Sequence, residues 1–179
     1  MRRGVFLRRF WNKRSRERAE DVAASLAAAI IDGANGLAAK LEQEGFARTE
    51  PERFASDAFW LECVFCELFL RQAVIAARPR QDAAVLRQLM NGRLGLDLLR
   101  SGMSPASLDD FERTAEIRFT EYFDACRASE SLQSFGALAW MRILGREEPS
   151  ERATMLLALR ATAELRAASR RLAAGPVSA

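Results

Sequence analysis

Residues 54–75 read FASDAFWLECVFCELFLRQAVI, and the fold turns on this stretch. Phe54, Phe59, Trp60, Leu61, Val64, Phe65, Leu68, Phe69, Leu70, Val74 and Ile75 point in every direction around a helical wheel. A helix that is apolar on all sides must be covered on all sides, so this one belongs at the centre of a domain. Pro51 suits a first helical turn, and Arg78, standing before Pro79, is biased away from helix. The central helix is therefore predicted near residues 51–77.

Further helices flank it. An Ala-rich segment from about Ser15 to Glu44 favours helix strongly. Gly33 and Gly36 inside it predict a kink or a close helix contact near Asn35, and Gly45 is a natural stop. Asp82 to Arg100 forms a third helix. Ser104-Pro105 opens a fourth, with Leu108, Phe111, Ala115, Phe119, Tyr122, Phe123 and Cys126 at three- and four-residue spacing. Ser131 to Leu144 is a short fifth, and a sixth runs from Ser150 to just before Gly175-Pro176. No stretch sustains period-two alternation, so no sheet is predicted. The expectation is an all-α, single-domain bundle of five to six helices around the apolar helix near residues 51–77. Residues 1–14 would form a basic aromatic arm, 15–174 the bundle, and 175–179 a mobile tail.

The 179 residues contain no histidine. That excludes Ser-His-Asp and Cys-His nucleophile systems, histidine zinc sites and a histidine-ligated haem. No Walker A, GxGxxG or GxSxG motif occurs, and no cofactor is expected. Cys63, Cys66 and Cys126 are too few and too odd in number for a disulfide framework, so a reduced cytoplasmic setting is the simplest reading. There is no run of about 18 uncharged apolar residues, and no transmembrane helix is expected. VAASLAAAII at 22–31 imitates a signal-peptide core, but Glu17, Glu20 and Asp21 precede it and Ala dominates it.

Function is concentrated at the N-terminus. Residues 1–18, MRRGVFLRRFWNKRSRER, hold eight basic side chains and one acidic one, a charge of +7 in a chain of net +3. The remaining residues therefore sum to −4. On a helical wheel Phe6, Leu7, Phe10 and Trp11 share one side, while Arg2, Arg8, Arg9, Lys13 and Arg16 lie towards the other; Arg3 adds a further charge. Aromatics opposed to arginines suit a membrane headgroup region or an acidic protein partner. Phosphate contacts alone give no reason for Phe6, Phe10 and Trp11, so nucleic acid is the less favoured partner. The plainest structural alternative packs Phe6 and Trp11 on the chain's own domain. The function expected is thus a non-enzymatic helical interaction protein that docks through this arm on an anionic membrane surface or an acidic partner. Its location would be cytoplasmic, with peripheral membrane attachment. Ala23, Ala27, Ala34 and Ala38 offer a small-residue face for a homodimer.

Three other features could hold chemistry. Cys63 and Cys66 form a CxxC in mid-helix, away from the helix N-terminus that would activate a thiol, and are expected as core filler. Glu62 and Glu67 are the only charges between Asp57 and Arg71, and Arg142 is the only charge between Ser131 and Leu144. The plain expectation puts all three at exposed helix edges. The alternative has Arg142 meeting Glu62 or Glu67 inside the bundle, or lining a small polar pocket with them and Tyr122, as a ligand-binding or carboxylate-dependent, metal-assisted enzyme would require. Finally, Asp109, Asp110, Glu112, Glu116, Glu121 and Asp124 form an acidic row. Glu121-x-x-Asp124 resembles half the acidic signature of all-α nucleotide pyrophosphohydrolases, but the other half occurs only as Glu17 and Glu20 in a basic context, so a solvated face is expected.

Overall fold

The computed structural model describes residues 13–48, 50–127 and 132–174. It is an all-α, single-domain bundle. The helices are α1 (Lys13–Gln43), α2 (Pro51–Phe54), α3 (Asp57–Ala76), α4 (Arg80–Arg100), α5 (Pro105–Arg127), α6 (Gln133–Leu144) and α7 (Glu151–Ala174), with one 3-10 turn at Phe46–Arg48. Among the described residues the count of seven exceeds the expected five to six because the predicted 51–77 helix breaks at Ala55-Ser56. Ser56 accepts the Phe59 N–H at 3.3 Å and so caps a new helix, with Asp57 in its first turn. The Phe54 and Phe59 rings pack across the break, 4.2 Å between centroids.

Helix α3 is the hub: 14 of its 20 residues are buried, and it touches α1, α4, α5, α6 and α7. Phe69 stacks on Phe135 at 5.3 Å and meets Tyr122 edge-on at 5.5 Å, while Phe65 stacks on Phe111 at 5.0 Å. Around this centre, α1 packs on α4 as well as α3, and α6 packs closely on α7.

Helix α1 is continuous through Gly33 and Gly36, and of the expected kink or close contact the structure shows the close contact, at Gly33 against Glu67 of α3. Its inward stripe is Ala23, Leu26, Ala27, Ile30, Ala34, Leu37 and Leu41, spaced by three and four residues. The alanines named for a homodimer thus sit partly in this stripe: Ala23, Ala27 and Ala34 are buried within the protomer. By length and composition alone, Arg16–Gln43 holds an 18-residue window apolar enough to cross a membrane, at mean hydropathy 1.5, a pattern that a core helix also shows. Its large side chains nevertheless turn into the bundle, and its exposed positions are small or polar: Asp21, Ser25, Ala28, Asp32, Asn35 and Ala39.

The remaining boundaries follow local chemistry. Ser104 accepts the Ser107 N–H at 3.1 Å ahead of Pro105 and so caps α5. Gly145, at φ +66°, closes α6 in the left-handed conformation, and Arg53 of α2 donates to the Arg142 and Ile143 carbonyls at that end. Phe123 leaves the predicted inward stripe of α5; it is half exposed and stacked on Phe119.

Candidate functional site

Glu62 and Glu67 are five residues apart on α3, and at 100° per residue they point about 140° apart. One carboxylate therefore faces α5 while the other faces α1 and α7. Both are buried, at 7% and 1% relative exposure, which overturns the expectation of exposed edges for these two residues. Each heads a separate chain of ion pairs.

The first chain joins α3, α5 and α6. The Arg118 guanidinium straddles Glu62, its Nε lying 2.9 and 3.1 Å from the two carboxylate oxygens. Its NH1 donates to Glu121 at 3.0 Å, and Glu121 in turn accepts from Arg142. Arg142 is thus tied to Glu62 through two intermediaries, and its side chain remains 39% exposed. Two acids and two bases close the chain at zero net charge. The hydrogen bond to Glu62 raises the pKa of Arg118 further.

The second chain joins α1, α3 and α7. Arg160 donates Nε and NH2 to Glu67 at 3.1 and 3.0 Å, and NH2 also to the Gly33 carbonyl at 2.7 Å. Arg71 lies 3.2 Å from Glu67 and donates to Glu164 at 2.8 Å. This chain is also neutral. Burial pushes the Glu67 pKa upward while Arg160 and Arg71 pull it down, and burial prevails. Such chains add little net stability over an apolar core, but they bind each helix to specific neighbours, because losing one member strands a buried charge.

Between the two chains lie the thiols and the tyrosine. Tyr122 is fully buried, and its hydroxyl stands 3.4 Å from Cys66 Sγ. Burial pushes the Cys63 thiol up to about 12 and raises Cys66 and Tyr122 as well. These groups stay neutral in the fold, and nucleophilic chemistry needs a thiolate. The described residues gather no group of three or more His, Cys, Asp or Glu able to hold a metal ion. The other residues of the acidic row, Asp109, Asp110, Glu112, Glu116 and Asp124, are exposed, as expected.

Glu62, Glu67, Tyr122 and Arg142 line neither the cleft between α6 and the start of α7 nor the one among α3, α4 and α5. Of the arm, Lys13 opens α1, while Arg2, Arg3, Phe6, Arg8, Arg9, Phe10 and Trp11 lie outside the described residues.

The sequence reading missed Arg118, Arg71 and Arg160. The signal was present in their register. Arg118 stands three residues after Ala115 and four before Tyr122, on the inward stripe of α5. Arg71 is four residues after Glu67, and Arg160 three after Leu157.

No family model, curated protein or solved structure matches this chain.

Proposed function

We propose that this chain is a non-enzymatic helical interaction protein whose basic aromatic arm docks on an anionic membrane surface. The observation that carries the reading is the charge division, +7 over residues 1–18 against −4 over the remainder, with Phe6, Phe10 and Trp11 interleaved among the arginines. Near an anionic bilayer, basic residues contribute about 1 kcal/mol each, so the arm can supply several kcal/mol before its aromatics insert. Phe6, Phe10 and Trp11 would enter the headgroup region, while Arg2, Arg3, Arg8, Arg9 and Lys13 face lipid phosphates.

The interior supports a scaffold in preference to a catalyst. Its buried carboxylates are spent on arginines and its thiols and phenol are held neutral. The helix that follows the arm turns its large apolar side chains inward, so attachment falls to the arm and not to α1.

Co-sedimentation of the full chain with phosphatidylserine-containing vesicles, at low and at about 0.15 M salt, tests this reading. Binding should weaken with salt, be absent with neutral phosphatidylcholine vesicles and disappear when residues 2–12 are removed. Unchanged binding after that removal, or none at low salt, overturns it; retention by an acidic polypeptide in place of vesicles points to a protein partner.

A further inference from the structure

Residues of α3, α4 and α5 line a cleft of about 560 Å³, within the range that holds small organic ligands. Its floor is apolar, with Leu68 from α3, Leu94 from α4, and Leu108, Phe111 and Phe119 from α5. Gly92, exposed on α4, adds no side chain to its lining.

One cation stands in this cleft. The Arg87 guanidinium lies 5.7 Å from the centroid of the Phe119 ring, its Nε is buried without a hydrogen-bond partner, and no carboxylate pairs with it among the described residues. Elsewhere in this core the buried Arg71 and the partly buried Arg118 and Arg160 are each paired with a glutamate. A half-buried guanidinium without an anion is a donor awaiting one. Beside it, Gln72 donates to Asn91 Oδ1 at 3.4 Å, holding an amide at the same cleft.

We propose that this cleft binds a small amphipathic carboxylate, its head on Arg87 and Asn91 and its apolar body on the Leu94, Leu108 and Phe111 floor. The charge balance selects the head group. The Arg87 guanidinium supplies the attraction for an anionic head, whereas Glu112 and Glu116, which also line the cleft, repel any anion and repel a doubly charged phosphate about twice as strongly as a carboxylate. None of the residues of the two ion-pair chains lines this cleft.

Titration calorimetry of the full chain with decanoate, decanol and decyl phosphate tests the assignment. Decanoate should bind roughly tenfold more tightly than decanol, one charge-assisted hydrogen bond's worth, and more tightly than decyl phosphate. Arg87→Gln should erase the preference over decanol. Arg87→Gln should remain folded by circular dichroism, since Arg87 is only partly buried and forms no ion pair among the described residues. No binding of decanoate, equal binding of decanol, tighter binding of decyl phosphate, or an undiminished preference for decanoate in folded Arg87→Gln would each overturn the proposal.

Discussion

Gly33 and Glu67 are in such close contact that a Cβ on the glycine would stand 2.6 Å from the carboxylate Oε2. The glycine is what lets a buried acid lie against the flank of α1, where Arg160 ties both to α7 by bonding the Glu67 carboxylate and the Gly33 carbonyl together.

In an unconstrained helix interior, Gly→Ala stabilises by about 1 kcal/mol. Here the sign reverses. Gly33→Ala should destabilise the chain by about 2 kcal/mol, because the displaced carboxylate has only a packed core to move into. Urea denaturation reads the difference, and an increase in stability would show that Glu67 rotates away freely.

Arg118→Met leaves Glu62 buried without its counter-ion and should cost about 3–5 kcal/mol. Adding Glu62→Leu removes the stranded charge and should recover most of that loss. A double variant no more stable than Arg118→Met alone would mean that the arginine acts through packing of its stem.

The thiols set the response to alkali. Burial lifts Cys63 from its ordinary 9.0 to about 12, so between these values the unfolded chain has released its proton and the folded chain has not. Stability contributed by this group is complete below pH 9 and is lost as pH rises towards 12, at about 1.4 kcal/mol per unit. Cys66 and Tyr122, raised by the same cause, act in the same direction. Denaturation midpoints from pH 8 to 11 should fall, and more gently in Cys63→Ala. In native protein at pH 8, a thiol reagent should modify the partly exposed Cys126 well before Cys63 and Cys66.

How far the sequence could be read depended on whether a residue's role was local. The all-round apolar pattern of residues 59–75 identified the central helix because coverage on every side is a property of that helix alone. The capped start at Ser104-Pro105 and the stop at Gly145 were legible for the same reason. The break at Ser56 was not, since Pro51 and Ser56 are both good starts and only the packing of Phe54 on Phe59 makes the chain use both. The site was read by halves. The isolation of Glu62, Glu67 and Arg142 among apolar neighbours marked them as unusual, but their partners lie 56, 93 and 21 positions away. The register of Arg118 and Arg160 places them beside apolar stripes, but which carboxylate each meets is fixed only when the helices are assembled.

Each ion-pair chain is neutral and closed, which has a consequence for descent. Glu62, Arg118, Glu121 and Arg142 form one unit of inheritance, and Glu67, Arg71, Arg160 and Glu164 another; Gly33 belongs to the second by contact. A lineage can exchange a whole unit for apolar side chains at little cost, but stepwise loss passes through a stranded charge. Distant relatives should therefore show each set either intact or replaced together, a pattern that persists after ordinary residue-by-residue similarity has faded.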